Sequence, residues 1–310
     1  MANGELVFFG TSAIGLTILK ELNRNFNLKL IVTQPDNYGG RNRQLIVPPV
    51  KQFAVENRLP CIQPPDLHEP ELELAMRRID PAIAVVVSYG KFIPKAIYSL
   101  PRYRTINVHF SLLPLYRGAA PVQRALENGE NRSGITVFEI SGRMDAGPVW
   151  AQEEIAIRPD DTTASYQQRL GERAAPFLMQ TLNQIFSGKI RKHAQDDSQA
   201  TLAPAVKKSE GRVDWRLPAQ RLFDRLRAFT PWPGLFFSLE KRQIKILNAR
   251  VSGKEHQGQA GQVLTLDSQR LQVGCGLQTV LEITHIQPDG KKAMSPWQFS
   301  LGNRFPELLS

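Results

Sequence analysis

The chain has 310 residues, 42% of them hydrophobic and 22% charged, with two cysteines and a formal net charge of +10. That length exceeds one small domain and suits two, and the composition excludes collagen-like, disordered and disulfide-stapled classes. Cys61 and Cys275 form no CxxC pair, which excludes a cysteine-rich zinc module and predicts a reduced, cytoplasmic setting.

Residues 5–9 read as a strand that runs into the turn Gly10-Thr11-Ser12, and residues 13–22 carry helical apolar spacing. No basic or Arg-rich leader is expected ahead of that strand. Residues 28–33 read as a second strand, ended by Gln34-Pro35-Asp36, and 50–57 as a helix behind Pro48-Pro49. The run 82–87 is almost wholly apolar and β-branched, as a strand buried on both faces requires. It is far short of the roughly 20 residues of a membrane helix. A strand at 104–109, a helix at 120–128, a strand at 134–140 and a long helix at 163–186 follow. Such alternation predicts a doubly wound, Rossmann-like, mostly parallel sheet.

Residues 188–205 lose periodicity and gather Gly, Ser, Asp and Pro, the composition of a linker. Beyond it a helix at 218–229 is stopped by Pro231-Trp232-Pro233. Short strands near 235–239, 243–249, 262–266, 271–273 and 279–286 then predict a small OB-like β-barrel. Two domains are therefore expected, 1–204 and 205–310. Charge divides unevenly between them. Residues 1–200 hold 23 Lys/Arg against 20 Asp/Glu, while residues 201–310 hold 16 against 9. A polyanionic partner and a merely solvated surface both fit a basic chain, and the asymmetry favours nucleic acid.

The first strand-to-helix turn reads GTSAIG, neither a GxGxxG dinucleotide fingerprint nor, with Leu16-Thr17 following, a Walker loop. The stretch 105–123, TINVHFSLLPLYRGAAPVQ, is more informative. Asn107 and His109 are two apart near the end of a strand, so they share a face, and ligands bind at the C-terminal ends of strands in open α/β sheets. An amide donor beside an imidazole can serve acyl transfer, one holding a developing oxyanion and the other moving a proton. A polar pair that only caps a strand end fits the same spacing. Asp145, in the turn after residues 134–140, is either the carboxylate that supports His109 or an ordinary Asx turn. The other histidines, at 68, 193, 256 and 285, show no ligand spacing, and no metal is expected.

Asn107-Val108-His109, then Ser111-Leu112-Leu113-Pro114, Tyr116-Arg117-Gly118-Ala119-Ala120-Pro121 and Met144-Asp145-Ala146-Gly147 together resemble the signature of the folate-dependent formyltransferase family. Phe9-Gly10-Thr11, Thr33-Gln34-Pro35-Asp36, Tyr89-Gly90 and Asp214-Trp215 extend the resemblance from about residue 6 to 296. As an ordered set the motifs are specific; singly each is weak. The resemblance implies transfer of a formyl group from 10-formyltetrahydrofolate to the amine of methionine carried on initiator tRNA. It also implies catalysis by Asn107, His109 and Asp145, and a folate pocket lined by Ser111, Leu112, Leu113 and Pro114, with backbone near 87–90 at the pterin edge. For tRNA it implies the glycine-containing loop 37–51, with Arg41, Arg43 and Lys51, and the basic C-terminal domain. That domain supplies Lys207, Lys208 and Arg212 together with Arg221, Arg225 and Lys245. A monomer acting on no membrane is expected. A family relative acting on a small amine, such as an amino sugar nucleotide, would use the same trio. Phe110 departs from the family's small residue ahead of the Ser-Leu-Leu-Pro segment and is expected to reshape that pocket.

Overall fold

The computed structural model describes residues 4–39, 44–240 and 242–309. In chain order the elements are β1 Glu5–Gly10, α1 Ala13–Asn25, β2 Asn27–Val32, β3 Asn37–Gly39, β4 Gln44–Ile46, α2 Pro49–Glu56, β5 Cys61–Ile62, α3 Pro70–Ile79, β6 Ile83–Val87, α4 Lys95–Tyr98 and β7 Thr105–His109. They continue as α5 Pro121–Glu127, β8 Arg132–Glu139, β9 Val149–Ala156, α6 Thr163–Phe186, α7 Ala219–Ala228, β10 Leu235–Leu239, β11 Arg242–Glu255, β12 Val263–Leu266, β13 Leu271–Gly274, β14 Thr279–Pro288 and α8 Pro296–Ser300. The chain divides into two compact units. The first comprises Met1–Pro121, Arg132–Ala156 and Gln167–Pro204; the second comprises Val122–Asn131, Ile157–Tyr166 and Ala205–Ser310.

The first unit is built on a seven-stranded sheet of order β5-β2-β1-β6-β7-β8-β9. Strands β5 to β7 are parallel, and β8 and β9 add an antiparallel edge. Every residue of β6, IAVVV, is buried, which explains why its sequence is continuous rather than alternating. Alternation along β1 splits the core between two faces. Val7 and Phe9 pack with Leu72 and Met76 of α3 and Ile97 of α4. Leu6 and Phe8, fully buried, point the other way, where the start of α1 comes so close that a Cβ on Gly15 would lie 3.6 Å from the Phe8 ring. Helices thus cover both faces, as a doubly wound sheet demands. Strand order turns back between β1 and β6, which opens a crevice beyond Gly10 and Val87.

Residues 188–205 are not a bare linker. His193 pairs with Val149 by two backbone hydrogen bonds, at 2.8 and 2.9 Å, and Ala203 closes on Arg117 and Ala120. The segment is a strap fastened to loops far away in sequence, and composition gives no sign of partners that distant.

The second unit is a five-stranded antiparallel sheet of order β10-β11-β14-β13-β12. Bulges between β11 and β14 near Asn248 and Ser252 bend the long strand, and the inner face encloses Trp215, Leu222, Phe237, Ile244, Leu281 and Phe299. Its end strands β10 and β12 do not pair, so the barrel is open along one seam among the described residues. Arg124 of α5 is held by Glu210, at 2.7 Å, and by Glu127, at 2.6 Å.

Candidate active site

The crevice floor is set by three loops. Burial against Phe9, at 5.6 Å between ring centroids, turns the Tyr89 side chain inward and pushes its phenol up to about 12. The Tyr89 carbonyl accepts from Thr11 Oγ1 at 3.1 Å and Gln34 Nε2 at 2.5 Å. The Gly10-Thr11 and Gln34-Pro35 turns are thereby locked to the end of β6. Gly90 has φ +81°, and a Cβ there would lie 2.6 Å from Gln34 Nε2, so glycine is required beside that bond.

Strand β7 lies next to β6 and places Asn107 opposite Phe138 and His109 opposite Thr136 of β8. Asn107 is half-buried, and among the described residues its carboxamide has no hydrogen-bond partner. His109 is buried, and its Nε2 lies 2.9 Å from the Tyr116 carbonyl. A carbonyl only accepts, so the proton is assigned to Nε2, and Nδ1 is left for the site. Nδ1 faces Asp145 Oδ2 at 3.8 Å, longer than a hydrogen bond; with the ring proton already on Nε2, closing that gap into a hydrogen bond needs a second proton on Nδ1.

Asp145 sits in the β8–β9 connection with φ +47°. Its Oδ2 accepts the Gly118 N–H at 2.8 Å. The carboxylate is therefore anchored on the 116–118 loop, on the side where His109 lies. Gly147, two residues on, admits no side chain, because a Cβ would lie 1.7 Å from the Glu139 carbonyl.

The segment 111–114 is framed from behind. Ser111 Oγ donates to the Leu115 carbonyl at 2.6 Å. Thr136 Oγ1 donates to the Ser111 carbonyl at 2.6 Å and accepts from Leu113 N–H at 3.1 Å. Gln152 Nε2 reaches both the Leu113 carbonyl, at 2.7 Å, and Thr136 Oγ1, at 2.9 Å. Leu113 packs with Phe138 and Val149, so Ser111 and Leu113 shape the wall, while Leu112 and Pro114 keep accessible surface. Phe110 is buried. This donor set fits a formyl-bearing folate: a carboxamide without a partner among the described residues and an imidazole nitrogen lie two residues apart on one strand, followed in the chain by the wall of residues 111–114. Among the described residues no group of three or more His, Cys, Asp or Glu side chains could hold a metal ion.

Arg41 and Arg43 lie outside the described residues. On either side of them β3 and β4 pair antiparallel, with Tyr38, Leu45 and Ile46 exposed. Lys51 is not a free cation. It lies 2.6 Å from Asp36, and that hydrogen bond, aided by Gln63, holds the Asp36 carboxyl below its usual range. In the second unit Lys207, Lys208 and Arg212 are exposed, with no ion pair among the described residues. Arg221 and Arg225 are engaged instead. Arg221 donates to the Glu127 carbonyl at 2.6 Å, and Arg225 donates to the Glu210 carbonyl at 2.5 Å. The residues that motif reasoning missed are Gln195 and Asp197 of the strap. Only their polarity marked them, and polar side chains are ordinary in linkers.

Residues 5–182 match the formyl transferase family, and residues 205–304 match the formyl transferase C-terminal domain. The chain belongs to the formyl transferase family and is a formyl-transferring enzyme. It is 35% identical to a methionyl-tRNA formyltransferase of Geobacter sulfurreducens over 98% of this chain and 95% of the relative. In fold it is similar to HypX from Aquifex aeolicus solved with tetrahydrofolic acid, with TM-score 0.63 and 18% identity, matching 99% of this chain. The chain spans about half of HypX, 51% of its length. It is also similar to an N-formyltransferase from Helicobacter canadensis in complex with folinic acid and dTDP-3-aminofucose. That match has TM-score 0.66 and 15% identity, over 90% of this chain and 98% of the other.

Proposed function

We propose that the protein moves the formyl group of 10-formyltetrahydrofolate onto the free α-amine of methionine esterified to initiator tRNA, in the cytoplasm and as a monomer. The juxtaposition of the free Asn107 carboxamide, buried His109 and Asp145 carries the chemical part of this reading. The folate supplies an activated formyl group. Asn107 donates a hydrogen bond to the formyl oxygen, and His109, when it carries a second proton on Nδ1, balances the negative charge that grows there as the amine attacks. Asp145 holds that protonated ring and takes the proton that the amine sheds; the bond from the formyl carbon to the folate N10 then breaks, and the proton passes on to N10 as it leaves. An aminoacyl ester's amine is less basic than that of lysine, so it is neutral often enough to need no stronger base. Leu112 and Pro114 line the folate, with Ser111 and Leu113 behind them. Lys207, Lys208 and Arg212, with Arg41 and Arg43, contact tRNA phosphates.

The decisive assay mixes the protein with 10-formyltetrahydrofolate and methionyl-tRNA, with uncharged tRNA and an amino sugar nucleotide as alternative acceptors. Formylmethionyl-tRNA should form, and transfer to the sugar alone would overturn the reading. His109→Ala and Asn107→Ala should each lower kcat by about 10²–10⁴-fold while folate still binds; near-wild-type turnover in either would remove that residue from catalysis.

A further inference from the structure

The acid that faces His109 is held by a device in the strap. His109 and Asp145 belong to different elements, and two short loops decide how far apart they stand. Residues 116–118 carry the Tyr116 carbonyl that binds His109 Nε2 and the Gly118 N–H that binds Asp145 Oδ2. Residues 145–147 carry Asp145 itself. Both loops are conformationally costly, with φ +61° at Tyr116, +129° at Gly118 and +47° at Asp145. Left-handed non-glycine residues persist only where their surroundings over-determine them.

Gln195 supplies that determination. Its Nε2 donates to the Asp145 carbonyl at 2.9 Å and to the Gly147 carbonyl at 2.7 Å. Its Oε1 accepts from Arg117 Nε at 3.1 Å and Nη2 at 2.7 Å. One carboxamide therefore has its donor on one loop and its acceptor on the other. Asp197 clamps the assembly from outside, 2.8 Å from Arg117 Nη2 and 2.8 Å from Arg143 Nη1. The Arg117 main chain is fixed in turn, its N–H on the Thr201 carbonyl and its carbonyl on the Ala203 N–H.

We propose that Gln195 is a positioning residue for formyl transfer: by stapling residues 116–118 to residues 145–147 it sets the separation of Asp145 from His109. The proposal rests on the formyl-transfer reading above. Gln195 touches neither His109 nor the Asp145 carboxylate, so it acts only through the separation of the two.

The test is a double-mutant cycle in the full-length protein. Gln195→Ala should lower kcat for methionyl-tRNA formylation about 30-fold and leave both KM values within about threefold. Gln195→Glu keeps the Arg117 bond but offers no N–H to the two carbonyls, and should lose as much; this nearly isosteric variant serves if the alanine variant folds poorly. In an Asp145→Asn background Gln195→Ala should change kcat by less than about twofold, because the group it positions is already gone. Gln199→Ala, on the exposed side of the strap, should behave as wild type. Wild-type kcat in both Gln195 variants, a full 30-fold loss persisting in the Asp145→Asn background, or a loss confined to KM would each overturn the proposal. So would a crystal structure of Gln195→Ala with the Asp145–His109 separation unchanged, whatever acceptor the enzyme uses. A wild-type protein that formylates no methionyl-tRNA would instead sink the functional reading.

Discussion

Asp145 reaches His109 only because the connection that carries it is bent tightly, and the bend depends on single residues. Gly147 is one, since its hydrogen occupies the space that a Cβ would contest with the Glu139 carbonyl at 1.7 Å. That neighbour is backbone and cannot rotate away, so Gly147→Ala should shift the loop, cost about 1–3 kcal/mol in stability and lower kcat at least tenfold. Gly142 stands in the same connection, and a Cβ there would meet nothing nearer than the Tyr98 hydroxyl at 3.9 Å. Gly142→Ala should therefore keep wild-type kcat and melting temperature. Equal behaviour of the two variants in a thermal melt and a turnover assay would refute the argument from Gly147. A two-residue spacing near a strand end puts His109 and Asn107 on a common face, but that spacing equally fits a capping pair, and only the ordered motifs shared with the family single them out. Gln195 could not be picked out, because nothing local ties a carboxamide to carbonyls about 50 positions earlier.

Among the elements, those that read most clearly from sequence were the ones whose burial leaves a regular mark. Strand β6 is apolar throughout because both of its faces are covered, and α6 shows helical spacing over 24 residues. Helix α3 buries only Leu72 and Met76, too sparse a row to stand out from its charged neighbours. The strap has no periodicity because its order comes from hydrogen bonds to loops and not from an apolar face. The turn Lys208–Gly211 raises a similar point in the second unit, where Glu210 is held by Arg124. That hydrogen bond lowers the Glu210 carboxyl from its ordinary 4.5. A carboxylate whose pKa is lower folded than unfolded stabilises the fold above the unfolded value, and the gain disappears as pH falls through the folded one. Glu210→Gln should thus be less stable than wild type by about 1 kcal/mol near neutrality, a few degrees in melting temperature. The difference should shrink below pH 4.5 and vanish in stronger acid. A gap that stays constant from pH 7 to 3 would show that the ion pair contributes nothing.

For the molecule as a whole, the charge of +10 overstates what is available to a polyanion. Many of the second unit's cations are already committed: Arg221 and Arg225 to α5 and the Lys208–Gly211 turn, Arg227 to Asp224, and Arg250 and Arg270 to Glu282. Sequence counts treat all these cations alike and could show the asymmetry but not the commitment. Lys207, Lys208 and Arg212, close together in the chain and without acidic partners among the described residues, are free to displace counterions from a phosphate backbone, as are the exposed Lys254, Lys291, Lys292 and Arg304. Each phosphate contact contributes just under one unit to the slope of log affinity against log salt. Replacing Lys207, Lys208 and Arg212 by alanine should weaken methionyl-tRNA binding and flatten that slope by about 2–3 units. Arg221→Ala removes a cation that the fold has already used, so it should lower the melting temperature while leaving the salt slope of the folded protein unchanged. Filter-binding titrations between 50 and about 200 mM salt would separate the two. If Arg221→Ala flattened the slope as much as the triple variant, the tRNA contact would depend on total charge rather than on Lys207, Lys208 and Arg212.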